Sequence, residues 1–273
     1  MMTNALSSKP IGIFDSGIGG LTVAHSLVKL LPNENIIYFG DTAHLPYGDK
    51  SAAAIQAYAI KITHMLLQQN CKLILIACHT ASAVAFDLVK EYCGKQATVM
   101  NVIDPVINHC REFYAKKNVG LIGTKATIQS NIYKKRIDEL NNGITLKSAA
   151  TSILASAIEE GFHHKKVIDT ILEEYLSRDT LKNIDALILG CTHYPVIKKN
   201  ICAYYENAID IIDPSEIVAH AVKARLTLDN SINKNKSVGK KHFYVSDYTQ
   251  SFEDNTKLFF DEAITLEHYP IWD

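Results

Sequence analysis

Two of the six cysteines, Cys78 and Cys191, differ from Cys71, Cys93, Cys110 and Cys202 in what surrounds them. Each closes a short apolar run, LILIA before Cys78 and LILG before Cys191. Each also stands beside a threonine and a histidine, as Cys78-His79-Thr80 and Cys191-Thr192-His193. The thiolate is the reactive form of cysteine, and a helix start lowers the thiol pKa from its free value of about 8.5. A thiol at the tip of a strand, next to a helix start, can therefore move a proton or attack a carbonyl. The competing reading is a small buried hydrophobe, which is what is expected of the other four thiols.

The pairing narrows the chemistry. A cysteine hydrolase needs one thiol, a histidine and an oxyanion hole, and leaves a second tip cysteine unexplained. Neighbours such as Cys78 and His79, or Cys191 and His193, seldom face each other productively. Racemisation does need two equivalent acid/base groups, because one removes the α-proton from one face while the other delivers a proton to the opposite face. Each thiol then needs a partner to tune it. Asp15 is the candidate beside Cys78, and His193 the candidate beside Cys191.

The elements that must position these residues read as a doubly wound α/β fold with a mainly parallel sheet. PIGIFD (10–15), NIIYF (35–39) and KLILIA (72–77) are apolar enough for buried strands. Between and after them run helical patterns: Leu21, Ala24, Val28 and Leu31; then Ile55, Tyr58, Ile62, Met65 and Leu66; then Ala81, Val84, Ala85, Leu88 and Val89. After about residue 103 the pattern restarts, with strands at NVGLIG (118–123) and DALILG (185–190). Asp15 then answers to Gly123 and Cys78 to Cys191 at similar separations, which points to two related α/β halves. HFYVSD (242–247) reads as a strand that returns to the first sheet, followed by helical FEDNTKLFF. Short crossings are expected near 103 and 213. In open parallel sheets ligands bind beyond the carboxyl ends of the strands. There lie Asp15-Ser16-Gly17, the loop 40–51, Cys78-His79-Thr80 and Cys191-Thr192-His193.

Other functions are disfavoured by spacing and composition. FDSGIGG could cradle an anion, but the third glycine of GxGxxG is absent, and no GxxxxGK[ST] occurs. No CxxC pair suggests zinc or a redox dithiol, and neither metal nor cofactor is expected. Charge is balanced, 28 Lys+Arg against 29 Asp+Glu, so no basic stripe for nucleic acid is expected. The apolar runs are too short for a membrane span. The start MMTNALSSKP does not read as a signal peptide, which predicts a cytoplasmic protein. No long segment precedes the first strand, so no regulatory extension is expected there. Asp41 either holds the loop 40–51 or takes part in chemistry. Asp15 has the alternative role of helix cap, and Gly17, Gly19 and Gly20 that of a tight turn. His44, His163 and His164 are expected on the solvated surface.

Taken together, FDSGIGGLTV, YFGDTAHLPYGDKS, ACHTASA, VGLIGTKAT and LGCTHYP resemble the glutamate racemases of the aspartate/glutamate racemase family, over about residues 10–250. The resemblance implies two α/β domains related by a pseudo-twofold axis, 1–103 plus 213–273 and 104–212, with the substrate between them. It implies catalysis without a cofactor, D-glutamate production for peptidoglycan, and a homodimer. By position Cys78 would deprotonate D-glutamate and Cys191 L-glutamate, with Asp15 and His193 assisting and Glu159 supporting His193. Substrate contacts would come from Asp15, Ser16, Tyr47, Gly48, His79, Thr80, Thr192 and His193, with Thr124 and Thr127 as further candidates for the α-carboxylate. Two departures stand out. His79 occupies a position where the family usually has Asn, and Thr151–Ser156 lacks the family's Cys-Pro and second proline. An aspartate racemase and a non-catalytic amino-acid-binding protein are the alternatives.

Overall fold

The computed structural model describes residues 6–162, 166–260 and 262–273; His163 and His164 lie outside them. The first-half strands are β1 (Ile11–Asp15), β2 (Ile36–Gly40), β3 (Leu73–Ile76) and β4 (Thr98–Asn101). Those of the second half are β5 (Asn118–Gly123), β6 (Thr145–Ala150), β7 (Ala186–Gly190) and β8 (Asp210–Ile212), and β9 (Lys241–Val245) and β10 (Glu267–His268) follow. They form a six-stranded sheet in the order β10-β9-β2-β1-β3-β4 and a four-stranded sheet in the order β6-β5-β7-β8. Every pairing is parallel. The segment 241–245 does return to the first sheet, against β2.

The order β2-β1-β3-β4 is repeated as β6-β5-β7-β8. The match of Cys78 to Cys191 seen in the sequence is thus a match of β3 to β7, and that of Asp15 to Gly123 a match of β1 to β5. In each sheet the chain reverses its winding between these two strands, which opens a crevice at their carboxyl ends.

Period-two alternation explains why the central strands are apolar throughout. Ile11, Ile13, Ile36, Tyr38, Leu73 and Leu75 face one core cluster; Phe14, Ile37, Phe39, Ile74 and Ile76 face another. The first cluster includes Leu21, Ala24 and Leu27 of helix α1 (Leu21–Leu30), and the second Ile55, Ile62, Met65 and Leu66 of α2 (Ala52–Gln68). The second also takes Ala81, Ala85 and Val89 of α3 (His79–Cys93), whereas Leu88, expected on that face, is exposed because Cys93 completes the stripe instead. Helix α4 (Ile103–Phe113) leads from β4 towards β5. In the second half α5 (Lys125–Gln129), α6 (Ile132–Glu139) and α7 (Leu154–Glu159) carry residues used below.

Cys71, Cys93 and Cys110 are fully buried core thiols, and Cys202 is half-buried. Asp41 accepts hydrogen bonds from Tyr47 Oη (2.6 Å), Ser246 Oγ (2.8 Å) and Trp272 Nε1 (2.7 Å), so its carboxylate ties the loop 40–51 to the C-terminal segment. His44 is not a solvated surface residue: its ring stacks on Tyr58 at 4.1 Å, and Nδ1 lies 3.1 Å from Asp41. Among the described residues no helix is long and apolar enough to cross a membrane.

Candidate active site

A narrow cavity of about 30 Å³ lies where the two crevices meet. Cys78 and Cys191 both line it, with Ser16, Tyr47, Gly48, His79, Thr80, Glu159, Thr192 and His193 from the sequence-derived set. Thr124 lines it as well. Thr127 stands behind, bonded to Thr80 (3.2 Å) and Thr124 (2.9 Å), while Thr80 and Thr124 are 2.8 Å apart. These three hydroxyls join the N-terminal turn of α3 to that of α5. Leu45, Pro46, Ala155 and Ser156 also line the cavity; nothing in their types marked them in the sequence.

Cys78 is the N-cap of α3, and its Sγ accepts from Ala81 N–H at 3.4 Å. The Cys78 thiol donates to Ser16 Oγ at 3.7 Å. The helix start was expected to favour the thiolate, but burial outweighs it. Burial first, then the charge of Asp15, pushes the Cys78 thiol up to about 12, against the smaller pull of Ala81 and Ser16. The thiol therefore holds its proton at neutral pH.

At Cys191 the surroundings are ionic. Its Sγ lies 3.6 Å from His193 Nδ1, so these chain neighbours do face each other, whereas His79 turns away from Cys78. His193 Nε2 is 2.7 Å from Glu159 Oε1. Burial works against a charge on His193, but the hydrogen bonds and negative charges of Cys191 and Glu159 outweigh it and hold its pKa well above the usual value. Glu159 is steadied by Asn255, whose side chain donates to its carbonyl at 3.0 Å, and Phe259 packs edge-on against the His193 ring. The changed Thr151–Ser156 segment still delivers Glu159 here: Thr151 Oγ1 bonds Tyr194 Oη at 2.6 Å and Thr151 N–H reaches Gly123 O at 2.9 Å.

Asp15 departs from expectation. It is fully buried and is not among the lining residues. Its Oδ2 accepts from Gly20 N–H (2.9 Å) and Gly17 N–H (3.3 Å), and its Oδ1 from Thr192 Oγ1 (3.4 Å). Burial raises its pKa, opposed by His193 and by those backbone donors. One carboxylate thus ties the turn before α1 to Thr192. Gly19 and Gly20 beside it are required by close approach rather than by turn conformation, since neither has a positive φ, whereas Gly17 has room for a Cβ. A Cβ on Gly19 would lie 2.5 Å from His193 Cε1 and 2.7 Å from Thr192 Oγ1, and one on Gly20 2.6 Å from Asp15 Cβ.

Among the described residues no Lys or Arg lines the cavity. An anionic ligand would be met by hydroxyls, the N–H groups at the starts of α3 and α5, His79 and the His193 cation. Two thiols in one such cavity, on equivalent strands, can serve opposite faces of a carbon held between them.

The comparisons with known proteins agree with this geometry. A family model described as Asp/Glu/Hydantoin racemase matches residues 11–222. The glutamate racemase of Chlorobaculum parvum is 41% identical over 260 residues, covering 95% of each chain. A crystal structure of glutamate racemase from Francisella tularensis in complex with D-glutamate is 39% identical, with a TM-score of 0.91 over 97% of this chain and 99% of that one. One from Thermus thermophilus in complex with beta-chloro-D-alanine is 33% identical, with a TM-score of 0.86 over 96% and 97%. The chain belongs to the Asp/Glu/hydantoin racemase family.

Proposed function

We propose that this protein interconverts L- and D-glutamate by two-base proton transfer between Cys78 and Cys191, without a cofactor. The observation that carries the mechanism is the placement of the two thiols on equivalent strand tips of one cavity. Glutamate as substrate rests on the relatives named above. In the D to L direction, Cys78 as thiolate takes the α-proton and Cys191 gives a proton to the other face. In the L to D direction the roles exchange: Cys191 abstracts and Cys78 donates. The protonated Cys78 and the His193–Glu159 pair beside Cys191 suit the L to D direction without prior rearrangement. His193 stores the proton that Cys191 gives up, and Glu159 offsets the charge of the imidazolium. Asp15 acts from below, orienting the turn and biasing Cys78 towards the thiol. Ser16, Tyr47, Gly48, His79, Thr80, Thr124 and Thr192 hold the substrate.

The same reading divides the chain into 1–103 plus 213–273 and 104–212, with the substrate in the cleft between them. It makes the protein a cytoplasmic homodimer that supplies D-glutamate to peptidoglycan. The test is solvent-deuterium exchange at Cα of L-glutamate with purified protein and no added cofactor. Loss of optical activity with one deuterium per product molecule is expected. A folded protein that binds glutamate but exchanges no α-proton would make it a binding protein instead.

A further inference from the structure

His79 and Tyr133 meet across the two halves, from the first turn of α3 and from α6. Their rings stack at 6.2 Å, and His79 Nδ1 lies 2.9 Å from Tyr133 Oη. His79 is 2% exposed and Tyr133 1%. Among the described residues this is the one hydrogen bond made by either side chain. Two tautomers are compatible with that distance, and they differ in what the ring offers the cavity that His79 lines.

If Nδ1 carried the proton, it would donate to the phenol oxygen. The phenolic proton would then be buried without an acceptor, at a cost of about 1–3 kcal/mol. The bare Nε2 lone pair would be the ring's offer to the cavity, and it would repel a carboxylate. If the phenol donates to a bare Nδ1, both groups are satisfied and the proton is on Nε2. Burial keeps Tyr133 well above the usual phenol pKa and His79 down at about 3, so a phenol proton is there to give and the imidazole is neutral.

We propose that Tyr133 is a positioning residue whose hydroxyl holds His79 in the Nε2–H tautomer, so that a neutral imidazole presents a hydrogen-bond donor to a carboxylate of the substrate. The carboxylate part rests on the glutamate reading given above. An amide, the family's usual group here, carries its donor permanently, whereas an imidazole needs a neighbour to fix which nitrogen has the proton. Tyr133 supplies that neighbour.

The test uses the full chain labelled with 15N-histidine, with His79 assigned by the signals that vanish in His79→Asn. Nε2 should resonate as the protonated nitrogen and Nδ1 as the bare one, and Tyr133→Phe should draw the two shifts together. A proton on Nδ1 in the parent protein overturns the proposal, whatever the fate of the variant. Kinetically, Tyr133→Phe should raise KM for glutamate about three- to tenfold, the worth of one hydrogen bond, with a smaller effect on kcat. In the His79→Asn background the same substitution should leave KM at the value of the single variant. An equal rise in both backgrounds would make Tyr133 a packing residue and overturn the proposal. Absence of α-proton exchange by the parent protein would sink the reading of function instead, and the nitrogen assignment would still decide the tautomer.

Discussion

Cys78 and Cys191 close equivalent strands, β3 and β7, of sheets that share a four-strand order, yet their surroundings have little in common. Cys78 caps a fifteen-residue helix, has a serine hydroxyl oxygen as its side-chain acceptor, and is pushed up to about 12 by burial and Asp15. Cys191 is followed by a short 3-10 turn, and its neighbour is an imidazole backed by a carboxylate. Repeated topology therefore yields two positions but not two identical groups. At one end the proton is held on sulfur by desolvation, and at the other an ion pair offers it a place on nitrogen. The enantiomers are equal in free energy, so any change at either end lowers kcat/KM for racemisation equally in both directions. Only a half-reaction reveals which end was damaged.

The largest effect is expected from replacing a thiol. Cys78→Ser and Cys191→Ser should each lower racemisation by about a thousandfold or more, since a hydroxyl is too weak an acid to take over proton transfer. A glutamate analogue with a β-leaving group separates the ends, because elimination needs one base only. Cys191→Ser should eliminate from the D isomer through Cys78, and Cys78→Ser from the L isomer through Cys191. The same enantiomer preference in both variants would rule out the two-base arrangement.

A smaller effect sharpens the contrast. Glu159→Gln leaves both thiols but removes the charge beside His193. Elimination from the L isomer should slow by about ten- to a hundredfold, the worth of a hydrogen bond to a charged group. Elimination from the D isomer should change far less, because among the described residues no hydrogen bond joins Glu159 to Cys78 or Ser16. Equal slowing of both isomers would show that the pair serves the whole cavity rather than one thiol.

What the sequence disclosed follows the same division between centre and edge. β1, β2, β3, β5 and β7 are buried on both faces and stand out as apolar runs. β4, β6 and β8 lie at or beside sheet edges, with sequences such as TVMN, TLKSAA and DII that are half-exposed and carry no distinctive pattern. Cys78, Cys191 and His193 were legible because they follow legible strands. Glu159 needed the family resemblance, because its helix is six residues long and its partner is thirty-four positions away. Tyr133 was not legible at all. It lies in the polar helix Ile132–Glu139, and only Ile137, one turn on, shares its buried face. The depth of Asp15 was also hidden, since a strand-end aspartate reads alike whether it faces a ligand or a turn.

The smallest prediction concerns stability, where the two ends should differ in their response to pH. Serine is a better N-cap acceptor than sulfur. Cys78→Ser should therefore leave stability unchanged or raise it by about 0.5 kcal/mol or less, at any pH below the free thiol value of about 8.5. Glu159→Gln acts through His193, whose folded pKa is raised above its unfolded value of about 6.5. A group raised on folding stabilises fully below the unfolded value and loses that contribution as pH rises through the folded value. The deficit of Glu159→Gln should thus be present in full below about pH 6.5 and shrink on the alkaline side. With the Glu159 side chain 17% exposed, about 1 kcal/mol is expected, discounted for solvent screening. In a chain of this size that is about 2–4 °C in Tm. Thermal unfolding of both variants and the parent across this range checks it. A deficit in Glu159→Gln that grows with pH would mean that His193 is neutral in the folded protein, and the contrast between a proton held on sulfur and one held on an ion pair would collapse.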